Sequence, residues 1–324
     1  MSTEKMLETY GDRIINTLDI IYQLRSAISL ILALNTVVFY LIILNFFNPI
    51  VSIFTALIYG HNMIILKTGI FARSEGIFVF FFNLGIYFLI KIFSGKKRKS
   101  NHLLGFAFSA AFCAQTKLNG IMLLFFFNLL YIIYFLKSYF CRLKINFKKN
   151  ISLFILVNVF CFCIFTLIDP YLYTNTFDNV ANYFSHRWAT TIRQKESYTR
   201  VILPDYKQRI AAIYNNFTGN NAYGDLSFLT YDFPFGQVTP PRFLLVTFLI
   251  IGIFTTIIKI IKGKDIFSDH FVILLLFIMT NAVMGFYLMF NFNRYFIQLV
   301  SFFLFFEVTG IIDFYKFFVK LIKK

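Results

Sequence analysis

Long apolar runs separated by short polar segments dominate this chain. A helix of about 20 apolar residues crosses the roughly 30 Å hydrocarbon core of a bilayer. Nine runs approach or reach that length: 27–47, 50–70, 76–93, 103–116, 119–136, 151–168, 242–261, 270–290 and 295–312. The run 103–116 is short, and 50–70 is interrupted by Gly60, His61 and Asn62. We therefore predict eight or nine crossings, with a broken helix or two half-spans at 50–70.

Two segments outside these runs predict further helices. Within 4–25, apolar side chains recur every three or four positions, which indicates an amphipathic helix on the membrane surface. Residues 204–217, which open with Pro-Asp, predict a second short helix. The predicted order is a juxtamembrane helix, a membrane region, a loop region, a second membrane region and a basic tail, at 1–26, 27–168, 169–241, 242–315 and 316–324.

Basic residues are concentrated in alternate connections between the runs. Four clusters, at 91–99, 137–149, 259–264 and 316–324, hold more than half of the 31 Lys and Arg. Short loops on the cytoplasmic side of a membrane are enriched in these residues. We therefore assign the four clusters to the cytoplasm and the 169–241 loop region to the other side.

The composition agrees with a membrane protein. Hydrophobic residues make up 58% of the chain and charged residues only 14%, and the mean hydropathy is +0.70. The net charge of +16 does not indicate a nucleic-acid partner, because no soluble basic and aromatic module is present. We predict an all-α membrane protein of about eight to nine transmembrane helices with one non-cytoplasmic helical loop region.

Candidate functional residues lie where apolar runs meet non-cytoplasmic loops. One interpretation is that Ser74 and Glu75 cap the helix that follows them. The alternative is that Arg73 contacts a phosphate and Glu75 contacts a substrate. Lys117 interrupts two apolar runs, where it either snorkels to the interface or meets a lipid-linked phosphate. In the second case, backbone N–H groups near Asn119 would assist it.

Two further segments share this side. Asp169, Pro170 and Tyr171 end one span and open the loop region, which is also an ordinary way to end a helix. Arg294 and Tyr295 begin the last span, where an arginine is either an interfacial anchor or part of a cationic pocket. Three cations on one side would suit a phosphate or pyrophosphate.

Taken in chain order, these segments resemble the GT-C superfamily of membrane glycosyltransferases. The matching segments are Arg-Ser-Ala at 25–27, Ala-Arg-Ser-Glu-Gly at 72–76, Ala-Gln-Thr-Lys-Leu-Asn-Gly at 114–120, Asp-Pro-Tyr at 169–171 and Arg-Tyr-Phe at 294–296. The nearest group comprises protein O-mannosyltransferases and aminoarabinose transferases. The resemblance implies transfer of a sugar from a polyprenyl-phosphate carrier to a non-cytoplasmic acceptor, in a bacterial inner membrane or the endoplasmic reticulum.

The resemblance also implies roles for the candidate residues. Lys117 and Arg294 would contact the carrier phosphate with Arg73 nearby, and 169–241 would help to shape the acceptor site. The residues expected to line the site with them are Glu75, Asn119, Asp169, Tyr171 and Tyr295. A carboxylate general base is required, often with a divalent metal nearby.

The sequence departs from the family at its N-terminal end. Such enzymes carry the catalytic acid in a loop after an initial helix, ahead of the span that corresponds to 27–47. Asp12 and Asp19 are the nearest acidic candidates here, and neither has the expected neighbours. A truncated chain, a partner that supplies the acid, and an inactive relative remain alternatives. So do a transporter or flippase of a lipid-linked or anionic solute, and a non-enzymatic subunit of a membrane complex.

Overall fold

The computed structural model describes most of the chain as helix. It describes residues 3–71, 73–94, 100–140, 147–169, 172–173, 175–197, 202–218, 230–263, 267–287 and 296–323. The first seven helices are α1 Thr3–Ile43, α2 Pro49–Gly60, α3 Met63–Ile70, α4 Ser74–Ser94, α5 Ser100–Thr116, α6 Met122–Phe140 and α7 Phe147–Ile168. The remaining elements are α8 Thr176–Ser197, α9 Tyr206–Thr218, β1 Tyr231–Phe233, β2 Gly236–Val238, α10 Arg242–Lys262, α11 Asp269–Tyr287 and α12 Ile297–Ile322.

Seven helices in the described part of the chain are long and apolar enough to cross a membrane. The spans are Tyr22–Ile43, Ser74–Phe93, Asn119–Phe140, Asn150–Ile168, Arg242–Lys262, Asp269–Phe286 and Ile297–Ile322. The predicted all-α membrane fold is confirmed. The predicted eight or nine crossings are compatible with these seven, because α5 has 17 residues and α2 and α3 together cover the interrupted run.

The central helix of the bundle is α12. Its span is 72% buried, whereas the spans of α7 and α10 are each only 17% buried. An apolar helix with so little protein around it presents most of its surface to lipid. The α12 helix also continues to Ile322, so residues 316–322 of the predicted basic tail belong to the last turns of this helix.

Lysines from three basic clusters gather at one end of the bundle, which we call the basic end. Lys91 Nζ donates a hydrogen bond to Asn45 Oδ1 at 2.6 Å, which joins the ends of α4 and α1. Lys259 Nζ forms an ion pair with Asp313 Oδ2 at 2.6 Å, which joins α10 and α12. Lys137 lies beside the connection that leads into α11.

The opposite end, which we call the loop end, carries the 169–241 region. Gln115 Nε2 donates to the Phe165 carbonyl at 2.6 Å, which joins the last turns of α5 and α7. In α9, the Arg209 guanidinium donates to the Phe286 carbonyl in the last turn of α11 and, at 3.2 Å, to the Pro204 carbonyl. Arg209 thereby satisfies the Phe286 carbonyl, one of those that the end of α11 leaves open.

The interrupted run 50–70 is a broken helix, as predicted. The α2 helix ends at Gly60 and α3 begins at Met63. A β-hairpin made of β1 and β2 covers the break: Met63 N–H donates to the Thr230 carbonyl at 2.9 Å, and Asp232 N–H donates to the His61 carbonyl at 2.8 Å. Within a bilayer, backbone groups freed by such a break need a protein partner. The hairpin supplies it.

Two helices were predicted outside the spans, at 204–217 and at 4–25. The short helix predicted at 204–217 is confirmed as α9. The helix α8 was not predicted; it has 22 residues, and most of them are polar. Residues 4–25 form one continuous helix with the first span, so residue 26 is not an element boundary. Their location at the membrane surface stays a prediction.

Close packing joins α10 to α12 through two glycines. A Cβ on Gly252 would lie 1.8 Å from the Phe306 carbonyl oxygen, and a Cβ on Gly310 would lie 2.0 Å from the Phe248 carbonyl oxygen. Small residues allow backbones to approach closely in membranes, where dispersion contacts drive helix association. The two backbones are therefore in direct contact at these positions.

Candidate functional site

Glu75 and Lys117 form an ion pair at the loop end. Lys117 Nζ lies 2.8 Å from Glu75 Oε1, and their side chains are 21% and 7% exposed. Glu75 is in the first turn of α4, where a negative charge complements the helix dipole. Lys117 is the first residue after α5. The structure thus brings together two of the residues that the sequence had placed on the same side.

A tight turn fixes the position of Lys117. The backbone of Lys117 is extended, and a short 3-10 helix, Leu118–Ile121, follows it. Gly120 N–H donates to the Lys117 carbonyl at 2.7 Å. A Cβ on Gly120 would lie 2.2 Å from the backbone of Cys113, so a side chain there would push the turn off α5. Asn119, in the same turn, is half-buried.

Arg73 lies in the connection between α3 and α4. Its guanidinium carbon is 4.8 Å from the centroid of the Phe71 ring, at a distance typical of a cation–π contact. The backbone N–H of Arg73 donates to the Thr68 carbonyl at 3.0 Å, and its carbonyl accepts from Gly76 N–H at 3.1 Å. These bonds hold Arg73 in the short connection that precedes α4, at the loop end.

Asp169 directly follows α7 and is half-buried. Its carbonyl accepts a hydrogen bond from Leu172 N–H at 2.9 Å, which forms a turn at the end of the helix. This contact agrees with the structural reading of Asp169. The functional reading stays a prediction.

Several predicted site residues lie outside the part of the chain that the structure describes. Arg294, Tyr295 and Tyr171 are among them. Asp12 and Asp19 lie in α1, but their side chains also fall outside the described part. The proposed contacts of these five residues therefore stay predictions.

A buried polar cluster in the bundle was not recognised from the sequence. Asn35 and Asn83 each donate to Tyr59 Oη at 2.9 Å, Asn83 also donates to Asn35 Oδ1 at 2.9 Å, and Ser301 Oγ donates to Asn83 Oδ1 at 3.0 Å. The cluster joins α1, α2, α4 and α12. Its sequence signal is the asparagine within each of two apolar runs, Asn35 and Asn83, since such side chains hydrogen-bond across membrane helices.

Glu307 is a further buried polar residue that was not predicted from the sequence. It is 5% exposed, and its Oε1 has no hydrogen-bond partner among the residues that the structure describes. Glu307 also interacts electrostatically with Tyr231 in strand β1. Burial raises the pKa of the Tyr231 phenol well above its ordinary value, and the negative charge of Glu307 raises it further. An acidic residue within a transmembrane run is costly and commonly functional, and that was the available signal.

The described residues contain no group of three His, Cys, Asp or Glu side chains close enough to hold a metal ion. The structure therefore identifies no metal site among these residues. The divalent metal stays an expectation from the resemblance.

No protein-family model matches this chain, and no curated protein or solved structure is significantly similar to it. The fold itself defines the class of protein: an all-α, multi-pass integral membrane protein. The resemblance to the GT-C superfamily therefore stays a prediction from the short sequence motifs.

Proposed function

We propose that this chain is a GT-C-like glycosyltransferase. It transfers a hexose or a pentose from a polyprenyl-phosphate donor to an acceptor on the non-cytoplasmic side of a bacterial inner membrane or the endoplasmic reticulum. The observation that carries the proposal is the contact between Lys117 and Glu75 at the loop end, where Arg73 lies two residues away. A cation held by a carboxylate thus lies at the end of the bundle that carries the loop region.

Lys117 stabilises the leaving phosphate in this mechanism. Negative charge accumulates on the phosphate as the glycosidic bond breaks, and a preorganised cation stabilises it most in the transition state. An ammonium carries three N–H donors, so the contact with Glu75 and a contact with phosphate are compatible. Glu75 orients the lysine, and Arg73 and Arg294 supply further positive charge.

The pairing itself supports a functional reading. Removing two charges from water costs several kcal/mol for each ion, and an apolar pair of similar size is often at least as stable. A mostly buried Lys–Glu pair is therefore weak evidence for a purely stabilising role. Its position at the predicted phosphate site gives the pair a use beyond stability.

The acceptor hydroxyl requires a carboxylate that takes its proton. We propose Asp12 and Asp19 as candidates, because they precede the first span on the predicted non-cytoplasmic side. An acidic residue from a partner chain is the alternative source.

The first prediction is that Lys117→Ala lowers sugar transfer about a hundredfold or more, because removing one donor to a developing charge commonly costs that much. Membrane vesicles would be prepared from cells that express the full open reading frame. They would then be given radiolabelled polyprenyl-phosphate hexoses and pentoses. Lys67→Ala is the matched control, since Lys67 is an exposed lysine in the last turn of α3. Transfer from none of the donors, or equal transfer by both variants, contradicts the proposal.

A transporter or flippase is the second candidate function. The break between α2 and α3 and the buried Glu307 favour it, because transporters use discontinuous helices and intramembrane carboxyl groups. The hairpin that covers the break argues for a fixed structure there. Flipping of a fluorescent lipid-linked sugar in reconstituted vesicles, without sugar transfer, would favour this candidate. The absence of both activities would favour a non-enzymatic subunit.

A further inference from the structure

A groove runs along the outside of the bundle between α1 and the broken helix. Its volume is about 510 Å³, within the usual range of ligand sites, about 300–1,000 Å³. The lining residues include Arg25, Ala33, Thr36, Leu57, Gly60, His61 and Ile70. Most of them are apolar. The groove opens outward, on a side where Leu57 and Ile70 are more than half exposed.

The break between α2 and α3 shapes this groove. At Gly60, α2 packs closely against α1 and forms the floor of the groove, since a Cβ there would lie 3.1 Å from Thr36 Oγ1. His61 Nδ1 donates to the Leu57 carbonyl at 2.8 Å, which satisfies a carbonyl in the last turn of α2. The Thr36 hydroxyl donates to the Leu32 carbonyl at 3.1 Å, so this hydroxyl and His61 Nδ1 both have protein partners. The groove therefore offers mainly hydrocarbon contacts.

The charge in the groove is concentrated at the loop end. Arg25 is exposed, and it lies near the start of the first span. Gly76, in the first turns of α4, lies close to Ile28, since a Cβ on this glycine would be 2.9 Å from Ile28 Cγ2. This contact sets Arg25 at the level where α4 begins. In a membrane, that level is the interface, where arginine meets lipid phosphates.

The length of the groove matches one leaflet. From Arg25 to Thr36 the helix rises about 16 Å, at about 1.5 Å per residue. Half of the hydrocarbon core is about 15 Å thick. One acyl chain of a phospholipid extends across that distance, whereas the chain of a polyprenyl carrier is longer. The dimensions therefore favour a phospholipid over the carrier.

We propose that this groove binds an anionic phospholipid, with one acyl chain along α1 and the phosphate at the Arg25 guanidinium. The site is separate from the Glu75–Lys117 pair, and the inference does not depend on the proposed transferase activity. Lipid binding and sugar transfer are measured separately, so one proposal can fail while the other stands.

Native mass spectrometry of the full chain in detergent tests this site. The protein would be mixed with equal amounts of phosphatidylglycerol and phosphatidylcholine, and the bound lipid counted. We expect phosphatidylglycerol to be retained at least about fivefold more, the ratio typical of one cation at a membrane surface. This competition uses the unaltered protein, so it does not depend on whether a variant folds.

Matched variants then locate the binding site. Arg25→Gln should lower phosphatidylglycerol retention about fivefold, whereas Lys67→Gln removes a nearby exposed charge and should leave it unchanged. Ala33→Phe fills the groove and should lower retention, whereas Leu34→Phe enlarges an exposed neighbour outside the lining and should not. The Arg25 and Ala33 changes are both at exposed positions.

Three results would overturn the inference. One is equal retention of the two phospholipids by the unaltered protein. Another is equal phosphatidylglycerol retention by the Arg25→Gln and Lys67→Gln variants. The third is displacement of phosphatidylglycerol by an equal amount of undecaprenyl phosphate, which would assign the groove to a polyprenyl carrier.

Discussion

Replacing Gly252 with alanine is expected to destabilise the protein strongly, although the change adds a single methyl group. The new Cβ would lie 1.8 Å from the Phe306 carbonyl oxygen in α12. Overpacking usually costs about 1–3 kcal/mol, because side chains shift to make room. A backbone oxygen cannot shift unless the helices separate, so we expect about 3 kcal/mol or more, measured as a fall of roughly 5 °C or more in Tm.

Gly285→Ala is the control for this prediction. Gly285 is also in a transmembrane helix, α11, but a Cβ there would meet Ile210 Cγ1 at 3.6 Å, an ordinary van der Waals distance. Its Tm in detergent should stay near that of the unaltered protein. Equal Tm values for the two variants would contradict the direct backbone contact between α10 and α12.

Removing the carboxylate of Glu75 is expected to have the second large effect. Glu75→Leu leaves the positive charge of Lys117 without this partner in a site where the lysine side chain is only 21% exposed. Breaking a buried ion pair commonly costs about 3–5 kcal/mol. Because Lys117 keeps some contact with solvent, we expect the lower end of that range. Chemical or thermal unfolding of the purified variant in detergent would measure it.

The double variant Glu75→Leu with Lys117→Met separates stability from activity. Two apolar side chains of similar size should restore most of the lost stability, because neither leaves a buried charge. Sugar transfer should stay low, because the cation is missing. A double variant that regains both stability and transfer would show that the pair has only a structural role.

Run length alone predicted most of the fold. The spans correspond to apolar runs because a bilayer requires each crossing helix to be long and apolar. The interruption at His61 and Asn62 also correctly predicted the helix break. The hairpin of β1 and β2 was not predictable, because its strands are only three residues long. Its position depends on hydrogen bonds to a helix break far away in the sequence.

The site was predicted less completely than the fold. The sequence placed Glu75 and Lys117 on the same side, but it did not show that they form an ion pair. Their contact depends on how α4 packs against α5, and on the turn at Gly120. Glu307 was not predicted, because the candidate residues all lie near the ends of the spans, whereas this residue lies within one.

The proposed phosphate site is tested most directly by the binding of farnesyl phosphate, a short polyprenyl phosphate, measured by isothermal titration calorimetry on the purified protein in detergent. We predict that the unaltered protein and Lys67→Ala bind it equally. Lys117→Ala should bind it about tenfold or more weakly, since a charge-assisted hydrogen bond is lost. Equal binding by all three proteins, or no binding by the unaltered protein, would contradict a phosphate site at Lys117.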